Sequence, residues 1–284
     1  MSGPATLGET RIGPQVFRWG TRTYVMGILN VTPDSFSGDG LLAAGPAADG
    51  IGAAVAQARA MAGEGADLLD IGGESTRPGH APVDVDEELR RVIPVVRAVR
   101  DALPDMPLTI DTTKPPVAEA ALDAGADAIN DVWGVSEDDA LARLAAERRV
   151  PIVLMHNRAE PRYNDLMPEI LADLQGAIDR AIAAGVPAAD ILVDPGFGFG
   201  KTPEQNLVLL RELGTLRRLD RPILLGTSRK STLGRILDLP PEERVEATLA
   251  TTVLGIAAGV DIVRVHDVRA NVRAARIADA VVRG

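Results

Sequence analysis

The chain has 284 residues, 46% hydrophobic and 25% charged, enough apolar material for one large core and for an α/β barrel as a single domain. Its net charge of −10 excludes a basic surface able to neutralise a phosphate backbone, so no nucleic-acid partner is expected. The absence of cysteine excludes disulfides, thiolate metal sites and thiol catalysis.

The opening residues, through Gly20, contain no apolar signal core, and no later run approaches the roughly eighteen apolar residues that cross a membrane. A cytoplasmic chain without a membrane partner is therefore expected. Residues 1–23 read as an extension whose short β-hairpin, ending near Trp19, caps a catalytic domain of residues 24–284. From there, short β-branched runs alternate with longer Ala/Leu/Arg stretches. The strand Tyr24–Leu29 precedes the helix Ile51–Gly63, Asp67–Ile71 precedes Asp86–Leu103, Leu108–Ile110 precedes Pro116–Ala124, and Ala128–Val132 precedes Asp138–Arg148. Then Ile152–Met155 precedes Leu166–Ala184, Ile191–Val193 precedes Pro203–Leu213, Ile223–Leu225 precedes Glu242–Ala258, and Ile262–Val265 precedes Val268–Val282. Gly65, Gly125, Gly185 and Gly259 follow four of these helices, where a left-handed cap turns the chain toward the next strand. Eight strands also suit an open doubly wound sheet, but no GxGxxG follows the first strand and no Walker sequence occurs, so a (β/α)8 TIM barrel is predicted.

Each predicted strand is apolar and then ends in polar groups: Asn30; Glu74, Thr76 and Arg77; Asp111; Asn130 and Asp131; His156; Asp194; Ser228 and Lys230; Arg264 and His266. In a barrel these ends converge on one face. For Asp131, Asp267 and Thr112, capping of the following helix is as good a reading as function. Arg77, Lys230, Arg264 and His266 would form a local anion site in an acidic protein. Asp111, Asn130 and Asp194 complement a planar edge bearing several N–H donors, such as an aminopyrimidinone ring, because a carboxylate accepts two parallel N–H bonds. Histidines are too few for a transition-metal shell, whereas Mg²⁺ held by water, substrate phosphate and one amide oxygen such as that of Asn30 is compatible. Lysine is rare, at Lys114, Lys201 and Lys230 alone, so each one invites inspection. Segments 30–40 and 72–82 carry glycine and proline where mobile lids would need them.

These residues also spell a pattern: Asn-Val-Thr-Pro-Asp-Ser-Phe-Ser at 30–37, Asp-Ile-Gly-Gly-Glu-Ser-Thr-Arg-Pro-Gly at 70–79, Ile-Asp-Thr at 110–112 and Asn-Asp-Val at 130–132. It continues with Leu-Met-His at 154–156, Asp-Pro-Gly-Phe-Gly-Phe-Gly-Lys at 194–201, Ser-Arg-Lys-Ser at 228–231 and Arg-Val-His-Asp-Val at 264–268. In this the chain closely resembles the dihydropteroate synthase family, pterin-binding barrels of folate biosynthesis, in order from about residue 24 onward. The sequence departs from that family at Gly38-Asp39-Gly40, where the family usually continues Asp-Gly-Gly, in the slightly longer Ala/Gly loop to Asp49, and at Trp133, where a small residue is common.

The resemblance implies condensation of 4-aminobenzoate with 6-hydroxymethyl-7,8-dihydropterin diphosphate, with Mg²⁺ as cofactor, small molecules as substrates, a homodimer, and sulfonamides as inhibitors. By position it assigns Asp111, Asn130, Met155, Asp194, Gly226 and Lys230 to the pterin, and Asn30, Arg77, Arg264 and His266 to the diphosphate, with Asn30 on the metal. Phe36, Thr76, Pro78, Phe199 and Ser231 fall on the 4-aminobenzoate side, and Asp111, Lys230, Arg264 and His266 are the expected catalytic groups. A corrinoid-linked methyltransferase on the same barrel is a rival that Ser-Arg-Lys-Ser and Arg-Val-His disfavour. A catalytically silent pterin-binding paralogue is a second rival, against which stands the filling of every charged site position.

Overall fold

The computed structural model describes residues 7–31, 47–74, 83–134, 136 and 138–284. Two short strands, β1 (Glu9–Ile12) and β2 (Gln15–Arg18), form an antiparallel hairpin. Eight parallel strands follow: β3 (Tyr24–Asn30), β4 (Leu68–Gly72), β5 (Leu108–Asp111), β6 (Ala128–Asp131), β7 (Ile152–Met155), β8 (Ile191–Asp194), β9 (Leu224–Leu225) and β10 (Ile262–Val265). Seven neighbouring pairs run in the order β8-β7-β6-β5-β4-β3-β10-β9, and a parallel bridge between Val193 and Ile223 joins the two end strands. The sheet thus closes on itself, which settles the choice between barrel and open sheet.

Between the strands lie α1 (Ala47–Glu64), α2 (Val85–Ala102), α3 (Pro115–Ala124), α4 (Ala140–Arg148), α5 (Leu166–Ala183), α6 (Pro203–Arg211), α7 (Ser231–Leu237), α8 (Val245–Ala258) and α9 (Val268–Val282). Helix α2 shows why such a segment folds. The Asp84 carboxylate accepts a 2.8 Å hydrogen bond from the Glu87 amide, three acidic residues occupy the first turn, and Val92, Val95, Val96 and Val99 repeat at helical spacing on the buried face. Burying each of these side chains stabilises the fold by roughly 1.5–3 kcal/mol before entropy. In α6, Thr202 and Gln205 form a reciprocal capping box, with Pro203 in the first turn.

Strands β4 to β8 are buried along their whole length, as expected where helices cover the outer face and side chains fill the interior. The hairpin closes the end where the strands begin. Ile12, Phe17 and Trp19 pack with Tyr24, Met26, Leu68, Ala128, Val153, Leu192, Leu224 and Ile262 in a cluster of their own. Trp19 donates from its indole nitrogen to Thr10 at 2.9 Å, satisfying a buried polar atom. The opposite end, where the strands finish, is left to polar groups.

Candidate active site

Strand register sets the first row of the site. Asn30 pairs with Gly72, Gly72 with Asp111 and Asp111 with Asn130, so three polar side chains and a glycine lie side by side at the ends of β3 to β6. On the next pair, Met155 is level with Asp194. Gly226 follows β9, and a Cβ there would stand 3.8 Å from Arg264 and 4.0 Å from Asp194, so this glycine keeps open the space between a cation and a carboxylate.

Arg264 is the hub. Its Nε donates to Asp70 at 2.5 Å and its Nη2 to Asp111 at 2.7 Å, so one guanidinium bridges two buried carboxylates. Asp70 is fully buried and also accepts from Thr109 and, at 2.9 Å, from the Asn130 amide nitrogen. Because a carboxylate only accepts, this contact fixes the Asn130 amide and leaves its carbonyl oxygen as the acceptor for a ligand. Asp111 keeps one oxygen, Oδ1, with no partner among the described residues despite its burial. Burial pushes the Asp111 carboxyl up to about 7, opposed by Arg264 and reinforced by Asp70.

Lys230 faces this group from the loop after β9. Its ammonium donates to the Phe197 carbonyl and sits 3.9 Å from the centre of the Phe199 ring. Loss of surrounding water pulls the Lys230 amine down to about 7, while Asp194 and Asp111 pull it back up. Burial likewise raises Asp194, whose Oδ1 accepts from the Gly196 amide at 2.7 Å. His266 and Ser228 are joined through Nδ1 and Oγ at 2.9 Å. Arg229 clasps Asp267 with two bonds of 3.0 and 2.8 Å, tying the loops after β9 and β10 together. Asp267 thus serves a loop-to-loop ion pair and makes no side-chain cap.

The structure therefore brings together Asn30, Asp111, Asn130, Met155, Asp194, Gly226, Lys230, Arg264 and His266 at the ends of the strands, with Phe199 against Lys230 and Ser231 exposed at the start of α7. Phe36, Thr76, Arg77 and Pro78 lie outside the described residues. Asp131 accepts from the Trp133 amide at 2.9 Å, a bond within the turn after β6, and does not cap the following helix, whose N-cap position is Asp139. His156, expected among the converging strand ends, is fully buried behind the site, bonded to Asp173 at 3.1 Å and Lys201 at 3.0 Å. Asp70 was missed by sequence reasoning. It stands two residues below the strand end, and only its placement as a charge inside an otherwise apolar strand could have marked it.

No cluster of three His, Cys, Asp or Glu suited to a metal occurs among the described residues. The half-buried Asn30 amide offers a single hard oxygen donor. That set fits Mg²⁺, which keeps several waters and binds through one or two protein oxygens plus substrate phosphate.

The family described as pterin binding enzyme matches residues 26–266. A dihydropteroate synthase of Clostridium beijerinckii is 50% identical over 96% of this chain and 99% of its own length. Among solved structures, the Clostridium difficile dihydropteroate synthase, crystallised in the presence of pteroic acid, superposes with a TM-score of 0.88 at 49% identity, covering 94% of this chain and 100% of that one. The Xanthomonas albilineans enzyme, with 4-aminobenzoic acid, gives 0.89 at 43% identity and covers 98% of each chain.

Proposed function

This chain belongs to the pterin-binding enzyme family, among its dihydropteroate synthases, and we propose that its barrel mouth joins 4-aminobenzoate to 6-hydroxymethyl-7,8-dihydropterin diphosphate, giving 7,8-dihydropteroate and diphosphate. The observation that carries this reading is the buried Asp111–Arg264–Asp70–Asn130 network, which leaves the Asp111 Oδ1 and the Asn130 carbonyl as acceptors beside Asp194 and Lys230. A flat ring rich in N–H donors satisfies those acceptors, and the opening at Gly226 admits it.

In this reading Asp111, Asn130, Asp194 and Lys230 seat the pterin, with Met155 and Gly226 lining it. Arg264 and His266, with Arg77 and Asn30, receive the diphosphate. Phe199 and Ser231, with Phe36, Thr76 and Pro78, flank the arylamine. The C–O bond to diphosphate breaks first, and the bonding pair leaves with the diphosphate. The resulting pterin methylene cation is attacked by the neutral aniline nitrogen, which then releases a proton. An arylamine carries its lone pair at neutral pH, so these side chains stabilise charge and need not activate the nucleophile. Asp111 offsets the cation, while Arg264 and His266 hold the departing anion. Mg²⁺, held at Asn30, would supply further neutralisation of the diphosphate.

We further place the chain in the cytoplasm as a homodimer. No described helix is long and apolar enough to cross a membrane. Val253 and Leu254 on α8 and Ile277, Val281 and Val282 on α9 expose aliphatic surface suited to a second copy, which light scattering on the purified protein would detect. The reading of the pterin seat is tested by titration calorimetry with dihydropterin diphosphate. Asp194→Asn and Lys230→Ala should each weaken binding by about tenfold or more, since the first turns an N–H donor toward the N–H edge of the ring and the second removes the ammonium that faces it. Affinities equal to the unmodified chain in both variants would put the seat elsewhere.

A further inference from the structure

The segment between β8 and α6, residues 195–202, is a close-packed turn. The Phe199 amide donates to the Gly196 carbonyl at 3.1 Å, and Gly196 and Gly198 both adopt left-handed backbone, φ 67° and 83°. A Cβ on Gly196 would collide with the His156 carbonyl oxygen, and one on Gly198 would stand 2.7 Å from Lys230 Cδ. The turn is thus wedged between His156 behind it and Lys230 in front. Further backbone groups of the turn are also anchored: the Gly198 amide donates to the buried Asn206 at 2.7 Å, and the Tyr163 hydroxyl donates to the Gly200 carbonyl at 2.8 Å.

Lys201 closes this turn from behind. Its ammonium donates to the carbonyls of Gly196 at 3.1 Å and Phe199 at 3.0 Å, and to His156 Nδ1 at 3.0 Å. Three N–H donors meet three acceptors, so Nδ1 must be the unprotonated nitrogen of His156, and Nε2–H donates to Asp173 at 3.1 Å. The two carbonyls held by Lys201 flank Phe197, whose own carbonyl accepts from Lys230 on the opposite side, and Phe199 supplies the ring beneath the Lys230 ammonium.

We infer that Lys201 is a positioning residue: by gripping the Gly196 and Phe199 carbonyls from behind, it fixes the Phe197 carbonyl and the Phe199 ring that together aim Lys230 into the barrel mouth. The inference rests on the proposed function for its consequence in catalysis, and on geometry alone for the coupling of Lys201 to Lys230. Burial lowers the Lys201 amine to about 7, opposed by Asp194, while its contacts to the Gly196 and Phe199 carbonyls and His156 Nδ1 hold it in place behind the turn.

The chain's three lysines make the test direct. Carbon-13 labelling of lysine gives three ε-methylene signals, and that of Lys230 is identified by its loss in Lys230→Ala. Because Lys230 lies over the Phe199 ring, its signal is shifted upfield by the ring current, and Phe199→Ala marks where it goes when the ring is gone. In Lys201→Met, which keeps the stem and removes the donors, the Lys230 signal should move toward the Phe199→Ala position. The KM for dihydropterin diphosphate should rise about tenfold while thermal melting stays cooperative. A Lys230 signal at its original position in folded Lys201→Met overturns the inference. If that variant does not fold, Lys201→Gln, which retains two N–H donors, is read instead; a smaller shift in the same direction supports the coupling and no shift refutes it. The spectra are taken on the free protein. Absence of turnover would therefore count against the proposed function and leave the coupling intact.

Discussion

Asp70 carries no substrate contact in the proposed reading, yet it organises two groups that do their work at the mouth, Asn130 and Arg264. Fully buried, it accepts from Thr109, Asn130 and Arg264. Asp70→Asn removes the charge and turns a donor toward other donors, so stability should fall by about 3 kcal/mol, seen as a lower urea midpoint. An unchanged midpoint would mean that Arg264 is held by Asp111 alone. The pH dependence follows from Asp111, which binds its proton more tightly folded, at about 7, than at the ordinary 3.8. Its favourable contribution is complete below 3.8 and lost as pH rises through 7. His156, held down to about 3 by burial and by Lys201, runs the other way: its contribution is present above 6.5 and lost as pH falls through 3. Asp111→Asn removes the first trend only, so its urea midpoint relative to the unmodified chain should climb between pH 4.5 and 7.5, a change of conditions chosen as roughly spanning that window. A flat difference would contradict the assignment. The polar mouth residues such as Asn30, Asp111, Asn130 and Asp194 were legible in the sequence because each follows an apolar run at a strand end, whereas Met155, Gly226 and Phe199 came only with the family resemblance. His156 carries the same strand-end pattern yet lies buried behind the site, and Asp70 was missed, since burial and partnership are properties of the packed barrel and leave no local pattern.

At the scale of elements, the turn of residues 195–202 has the least tolerance. Gly196→Ala places a Cβ against the His156 carbonyl in a left-handed backbone, whose intrinsic cost alone is about 1–2 kcal/mol. A melting temperature lowered by several degrees is expected, and an unshifted melt would show that the turn can relax. The strands were readable to within a residue or two at their ends, because each is a short apolar run closed by a polar group. Helix ends were less so. Helix α8 begins at Val245 and not at Glu242, because Pro240 and Pro241 open a separate 3-10 turn, Pro241–Glu243. Helix α6 stops at Arg211 and passes into a 3-10 stretch, Leu213–Leu219, that periodicity had merged with it in part. Helix α7 was not anticipated at all: it is seven residues long with Gly234 inside, too short for a periodic signal and poor in intrinsic propensity.

Across the whole molecule, the two ends of the barrel divide stability from chemistry. The hairpin cluster fills one end and the polar network occupies the other. Trp19→Ala should therefore lower unfolding free energy by about 3–5 kcal/mol while leaving the KM of the folded protein within about twofold. A large rise in KM would show that the plug reaches the site. Eight strand-helix repeats were countable in the sequence, but closure was a choice between two architectures until the Val193–Ile223 bridge joined the ends. The central claim is that the mouth opposite the plug makes the C–N bond between arylamine and pterin. Its most direct test is formation of 7,8-dihydropteroate by the purified chain from 4-aminobenzoate and dihydropterin diphosphate, with and without Mg²⁺, beside Lys230→Ala. Mg²⁺-dependent product that disappears in the variant is the expected result; bound pterin diphosphate with no product from the unmodified chain would contradict the account.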